Sequence, residues 1–219
     1  MTAGVSRMVV GISGASGTLY GVRALARLRE LGIESHLVVS RAGGMTRAVE
    51  TDLSAHELRA MADVSYAPSE IGAAIASGSF PTLGMLVAPC SIRSLAEIAY
   101  GTTTTLLTRA ADVTLKERRP LVLMVRETPL SRVHLRAMTA ATEAGAIVAP
   151  PMPAFYARPD SLEEMVDHSV ARALDLFGLH LPARRWEGMT ASSVTSEPLI
   201  GEPLDDEALT PSVAAPGRA

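Results

Sequence analysis

Apolar residues in this chain fall into short runs rich in Val, Ile and Leu that alternate with longer amphipathic stretches, the signature of strands of period 2 between helices of period 3.6. Met8 to Ser13 reads as a strand, and Thr18 to Leu31 as a helix with Leu19, Val22, Leu25, Ala26 and Leu28 near helical spacing. Gly32 ends that helix, where glycine accepts a left-handed backbone. His36 to Val39 is the next strand, and Arg41 to Glu50 starts another helix. Met85 to Ala88, Leu121 to Val125 and Ala146 to Ala149 are apolar runs too short for helices, separated by amphipathic segments of helical length. Between Thr51 and Thr82, Ala55 to Ala62 reads as helix, Val64 to Tyr66 as strand and Gly78 to Pro81 as loop. Asp160 to Gly178 is the last helix, with Ser161 as its N-cap and Glu163 and Glu164 at the positive end of its dipole. This alternation predicts an α/β fold with an open, mainly parallel sheet.

Chemistry gathers where the strands end. GISGASG (Gly11 to Gly17), VVSR (Val38 to Arg41), APCSIRS (Ala88 to Ser94), VRETP (Val125 to Pro129) and APPMPAFY (Ala149 to Tyr156) carry small, hydroxyl or charged residues where a core has no use for them. Ligands of open parallel sheets bind in the crevice at the carboxyl ends of the strands, so the five turns outline a pocket. The glycines of the first turn are not spaced as G-x-G-x-x-G, and they serve either a tight corner or a phosphate at a helix N-terminus. Ser13 and Ser16 favour the ligand, because turning a corner needs no hydroxyl.

Other residues have a bland reading beside the chemical one. Arg109 and Lys116, seven residues apart in RAADVTLKERR, share nearly one helix face and either hold a phosphate or are solvated, with Lys116, Arg118 and Arg119 complementing the dipole of the last turn; taken alone, the solvated face is favoured. Arg126 and Glu127 follow a buried run and suit an anion contact and proton transfer, or else a structural ion pair. Cys90 reads as a small buried thiol, and Ser91 and Ser94 as hydrogen-bonding groups for a ligand. PPMPAFY is a stiff wall that either lines an apolar pocket or caps the core, and alone it favours capping. His36, His56, His134, His168 and His180 lack metal-ligand spacing, so no metal is expected, and His134 and His168 fall in amphipathic helices.

Composition narrows the classes. The 219 residues, 47% of them hydrophobic, suffice for one domain with a substantial core. A net charge of -3 with dispersed cations argues against a nucleic-acid surface or an acidic-lipid anchor. No apolar run approaches the roughly 18 residues of a membrane span. The N-terminus lacks a basic region followed by an apolar signal segment, and Cys90 is the only cysteine, so a cytoplasmic protein without an intrachain disulfide is expected. From about Glu187 the chain is rich in Ser, Thr, Pro, Glu and Gly, which predicts one α/β domain over 1–186 and a mobile tail over 187–219.

Taken in order, GISGASG, ETD (Glu50 to Asp52), GSFPTLGM (Gly78 to Met85), APCSIRSLAEIA, RAADVTLKERRPLVLMVRETPL and PPMPAFY resemble the UbiX-type flavin prenyltransferases, from about Val9 to Trp186. The resemblance implies a flavodoxin-like, Rossmann-like sheet with helices on both faces. It implies an enzyme that moves a dimethylallyl group from dimethylallyl phosphate to reduced FMN, first at N5 and then at C6, for use by a separate UbiD-type decarboxylase. It further implies that Gly14, Ala15, Ser16, Ser40, Ser91, Ile92, Arg93, Ser94 and Arg126 bind the flavin nucleotide. Lys116, Arg126, Tyr156 and Arg172 would hold the prenyl phosphate, with Arg109 nearby. Ser16, Glu50, Lys116 and Glu127 would be the catalytic set, and the assembly a homo-oligomer, often a dodecamer, with sites at subunit contacts.

Three rival readings are a flavin-dependent Cys decarboxylase, a non-catalytic FMN-binding subunit of a decarboxylase complex, and direct decarboxylation of an aromatic acid. The first would need P-x-M-N-x-x-M-W and PASANT-like segments, where this chain has VRETPLSRVHLRAM and APCSIRSLAEIA. Lys116, Glu127, Tyr156 and Arg172 exceed what the second requires, and the third lacks cofactor chemistry of its own. The chain departs from the family's commonest pattern at TTTTLLT, between Gly101 and Arg109, where many relatives carry an Asn.

Overall fold

The computed structural model describes residues 6–188. The chain divides into a unit of Met1–Arg185, which holds every strand and helix named below, and a second unit of Trp186–Ala219. The expected mobile tail lies, from residue 189 on, outside the described residues.

Six strands form one sheet in the order β3-β2-β1-β4-β5-β6, every neighbouring pair parallel. They are β1 (Arg7–Ile12), β2 (Glu34–Val39), β3 (Val64–Tyr66), β4 (Met85–Cys90), β5 (Leu121–Val125) and β6 (Ile147–Val148). Around them lie α1 (Thr18–Glu30), α2 (Arg41–Glu50), α3 (Ala55–Ala60), α4 (Ile92–Ala99), α5 (Leu106–Lys116), α6 (Arg132–Glu143) and α7 (Leu162–Asp175). The flavodoxin-like class expected from the sequence is the class observed.

Alternate residues of each central strand feed opposite cores, as period 2 requires. Met8, Val10 and Ile12 of β1 join Leu86 and Ala88 of β4 and Val122 and Met124 of β5 on the face covered by α1 and α7. Val9, Met85, Val87, Leu121, Leu123 and Val125 face α4, α5 and α6. Parallel strands buried on both faces read as continuous apolar runs, which is why β4 and β5 were so visible in the sequence. The carboxylate of Asp167 on α7 ties that helix to α1, accepting from Arg23 and, at 2.7 Å, from Arg27 Nη2.

Most element ends shift by one to three residues from the sequence reading, and three differences have a clear cause or consequence. β2 starts at Glu34 rather than His36 because its parallel register with β1 already begins at Arg7 and Glu34. β6 shrinks to two residues at the sheet edge. The expected string of last-turn cations stops at Lys116, because Arg118 takes a left-handed φ of 57° and Arg119 leaves the helix to donate to the carbonyls of Gly78 and Phe80 at 2.7 and 2.8 Å. Arg119 is therefore a clamp on the 78–80 loop and not a dipole partner.

Candidate active site

Sheet winding reverses between β1 and β4, and that is where the carboxyl-edge crevice opens. Its floor is stitched by Ser13, fully buried, whose hydroxyl donates to the Pro89 carbonyl at 2.8 Å and accepts from the Ser91 amide at 2.7 Å. The ligand role suggested for Ser13 gives way to this structural one. Gly14, Ala15, Ser16 and Gly17 follow as the loop into α1.

Two close approaches explain the glycines. A Cβ on Gly14 would lie 2.4 Å from the Ala42 methyl, and one on Gly43 would lie 2.6 Å from the Ile12 carbonyl oxygen. The start of α2 is thus pressed on the loop, and Thr46 fastens it there by donating to the Gly14 carbonyl at 3.2 Å. Gly17 has φ 111°, the left-handed region open to glycine, and places its amide at the head of α1.

Three helices present their N-termini around this crevice. Ser40 caps α2 by accepting from the Gly43 amide at 3.0 Å, and Ser91 caps α4 by accepting from the Ser94 amide at 3.3 Å. Ser91 also donates to the Ser94 hydroxyl at 3.2 Å. The first amides of α4, at Ile92 and Arg93, have no intrahelical acceptor by helix geometry and carry the positive end of its dipole, which suits a phosphate. Arg93 contributes there through its backbone, since its guanidinium turns outward to Glu97 at 2.9 Å.

The third N-terminus, that of α1, is held by Glu50. Its carboxylate accepts from the amides of Gly17 and Thr18, both at 2.9 Å. Partial burial pushes the Glu50 acid upward, but hydrogen bonds from the Ser16 hydroxyl and the amides of Thr18 and Gly17 outweigh it and hold the group below the usual carboxylate range. Glu50 is a fixed anion that orders the Ser16 loop, a role compatible with accepting a proton and poorly suited to donating one at neutral pH.

Arg126 joins the crevice from β5: its amide donates to the Cys90 carbonyl at 3.1 Å, and its charge is felt by Tyr20. Tyr20 was missed in the sequence. It lies in the first turn of α1, where its ring meets the position a Gly17 Cβ would occupy at 2.8 Å, and burial raises its phenol above the ordinary value against the pull of Arg126. The available signal was its place three residues after Gly17. Cys90 is fully buried at the end of β4, and burial pushes its thiol up to about 12. Native protein at mildly alkaline pH is therefore expected to resist iodoacetamide, while unfolded protein is labelled at this single site; rapid labelling of the native form, read by intact mass, would contradict the burial.

The remaining candidates lie elsewhere in one copy of the chain. Glu127 is exposed just past β5 and accepts from the Thr128 amide at 3.0 Å. Tyr156 and Arg172 line a cavity of about 300 Å³ at the β5 and β6 edge, with Met124, Pro150, Met152 and His168. The PPMPAFY segment is thus a pocket wall rather than a core cap, and Phe155 is 81% exposed. Gly14, Ser40, Ser91 and Arg126 are not among the residues of that cavity. His168, read from sequence as an amphipathic-helix residue, lies 3.4 Å from the Tyr156 hydroxyl.

Lys116 stands at the opposite edge of the sheet. It ends α5, just before the chain enters β5, and its ammonium meets the Glu117 carboxylate at 2.6 Å beside Gly78. Glu127 leaves the other end of β5, a strand that spans roughly 16 Å at about 3.3 Å per residue. Arg109, two turns earlier on α5, pairs with Asp112 at 2.6 Å. One copy therefore gathers the residues expected to hold the flavin but disperses the cations expected to hold the prenyl phosphate. Among the described residues no group of three His, Cys, Asp or Glu side chains is placed to hold a metal ion, and no helix is long and apolar enough to cross a membrane.

The family model described as Flavoprotein matches residues 2–173. Flavin prenyltransferase UbiX of Escherichia coli K12 is 55% identical over 188 residues, which cover 84% of this chain and all of that protein. A crystal structure of AnUbiX in complex with FMN and dimethylallyl pyrophosphate superposes with a TM-score of 0.83 at 46% identity, covering 84% of this chain and 99% of that one. A dodecameric FMN-dependent UbiX-like decarboxylase from Escherichia coli O157:H7 gives 0.81 at 49% identity, over 83% of this chain and 100% of its own.

Proposed function

Because the chain belongs to the UbiX flavin prenyltransferase family, we propose that neighbouring copies divide the work of one prenyl transfer between them. The reaction joins a dimethylallyl group to FMN. The residues of the crevice fit that acceptor: the α4 amides, Ser40 and the Arg126 guanidinium offer donors to its phosphate and polar edge, beside a loop that Gly14 lets pack against α2. FMN supplies a nucleophilic ring when reduced, with N5 alkylated first and C6 closing the new ring.

The donor is dimethylallyl phosphate. As its allylic carbon-oxygen bond breaks, both electrons stay with the departing phosphate, and fixed cations stabilise the growing charge. Lys116, Arg172 and Arg126 supply those cations, with Arg109 nearby and the Tyr156 hydroxyl as a hydrogen-bond donor. The allylic cation left behind must meet the flavin before water, so the apolar surface of Met124, Pro150 and Met152 serves by excluding solvent. Alkylation at N5 leaves the prenyl double bond and frees a proton; Glu127 relays that proton to the double bond so that C6 can close the new ring, takes up the proton C6 then loses, and can pass it to the phosphate. Ser16, held against Glu50, positions the flavin edge.

The observation that carries this reading is the separation of Lys116 from Glu127 by the length of β5. A homo-oligomer, dodecameric like its UbiX-like relative, lets the α5 end of one copy meet the β5 end of another. The exposed Met45, Val49, Val133, Met152 and Phe155 are apolar surface of the kind such contacts cover. The product serves a UbiD-type decarboxylase, and the enzyme works in the cytoplasm with no nucleic-acid or membrane partner.

The test is anaerobic incubation with reduced FMN and dimethylallyl phosphate, followed by mass analysis of the released flavin. A flavin heavier by one five-carbon unit is expected. Unmodified flavin released from protein that binds FMN tightly would overturn the transferase assignment for this donor.

A further inference from the structure

Asp175 is a carboxylate in an unfavourable place. It ends α7, where the negative end of the helix dipole opposes an anion, and its side chain is only 9% exposed. A buried charge of this kind persists only when paired, and here it has three hydrogen-bonding neighbours, two of them guanidinium groups. Arg172, one turn earlier, donates from Nη1 to Oδ2. Arg185 donates to both oxygens, the Nη2 to Oδ1 bond measuring 2.8 Å, and His180 Nδ1 lies 3.0 Å from Oδ1. The bonds from Arg185 come first among the influences that hold the Asp175 acid well below the usual carboxylate range, so it is charged at neutral pH.

These neighbours differ in what else they do. Arg172 lines the cavity with Tyr156 and His168, whereas Arg185 and His180 are not among its lining residues. Arg185 also donates to the Leu181 carbonyl at 3.2 Å, which fixes it to the segment after α7. Asp175 thus bridges an anchored guanidinium and one that faces the pocket. Among the described residues only Nη1 of Arg172 is engaged, and a guanidinium carries five N–H donors, so an edge remains for an anion.

We propose that Asp175 is a positioning residue for the donor phosphate: anchored by Arg185 and His180, it fixes the Arg172 guanidinium toward the anionic end of the prenyl donor. The proposal deepens, and rests on, the reading of Arg172 as a phosphate-binding group. Without Asp175, an arginine whose side chain is 53% exposed would sample many rotamers, and the donor would have to order it on binding.

The experiment compares Asp175→Asn and Arg185→Gln with wild type in anaerobic steady-state prenyl transfer, with dimethylallyl phosphate binding to the FMN-loaded protein measured by calorimetry. Asp175→Asn keeps shape and an acceptor but loses the charge, and is expected to raise both KM and Kd for dimethylallyl phosphate about tenfold, with kcat within about twofold and FMN affinity unchanged. Arg185→Gln, which only loosens the anchor, is expected to raise them about threefold. Wild-type donor affinity in either variant that folds would overturn the proposal, as would a parallel loss of FMN affinity, the mark of a merely structural role. Should Asp175→Asn fail to fold, Arg185→Gln decides alone. A wild-type protein that neither binds nor uses the donor would overturn the underlying reading instead, a result distinct from normal wild-type turnover with unaffected variants.

Discussion

Lys116→Ala is expected to lower prenyl transfer by about two to three orders of magnitude while FMN affinity stays at the wild-type level. The ammonium stands at the amino edge of the sheet against Glu117 and the Gly78 loop, remote from the crevice of its own copy, so its loss leaves flavin binding untouched. Glu127→Gln is expected to be comparably inactive. The decisive experiment mixes the two: reassembly of equal amounts of Lys116→Ala and Glu127→Gln subunits should restore activity at about a quarter of the sites, those pairing an intact lysine from one copy with an intact glutamate from another. Mass measurement confirms that the copies have exchanged. Exchange without recovered activity would show that each copy uses its own lysine, and the shared-site reading would fail.

Gly43→Ala carries the second large effect. Its methyl would stand 2.6 Å from the Ile12 carbonyl oxygen and 3.0 Å from that of Ser13, both backbone atoms at the end of a central strand. Neither can swing aside, so α2 must lift. A loss of about 2–3 kcal/mol in urea unfolding is expected, with weaker FMN binding because Ser40 and the Gly14 loop move with the helix. Gly44→Ala is the control, for a Cβ there meets nothing within 4 Å. In a helix, with open space for the new methyl, that change should be neutral or stabilise by up to about 1 kcal/mol. If the two variants unfold at the same urea concentration, the close approach of α2 to β1 has been overestimated.

The contrast between these neighbouring glycines marks how far the chain could be read without its fold. Strands β1, β4 and β5 and helices α1 and α7 were visible because burial imposes a period, and period survives in one dimension. The crevice was visible too, since each of its turns follows an apolar run. Hidden was every role that depends on which element lies alongside. GISGASG does not disclose that Ser13 serves Pro89 and Ser91 while Ser16 serves Glu50, because the partners lie more than 30 residues away. Arg119 looked like one more cation at a helix end, and only the 78–80 loop reveals it as a clamp. Tyr20 escaped because an aromatic in the first turn of a helix has no motif.

Family motifs name residues as a set but say nothing of their distances. Lys116 and Glu127 are eleven positions apart in sequence, and proximity in the motif RAADVTLKERRPLVLMVRETPL suggests one site. A strand between them guarantees the reverse within a copy. His168 and Asp175 were passed over for the opposite reason: helical spacing places them about one turn either side of Arg172, yet neither belongs to a recognisable motif.

The buried bridge from the Ser13 hydroxyl to Pro89 and Ser91 bears on how the flavin arrives. It welds the ends of β1 and β4 together at the switch point using only protein groups, so the crevice has its shape before any nucleotide enters. Ordering that part of the cleft belongs to folding, and the incoming flavin meets a mould already set. A subunit can therefore shape this part of its cleft with its own hydroxyl and amide groups, before it meets any neighbour or ligand.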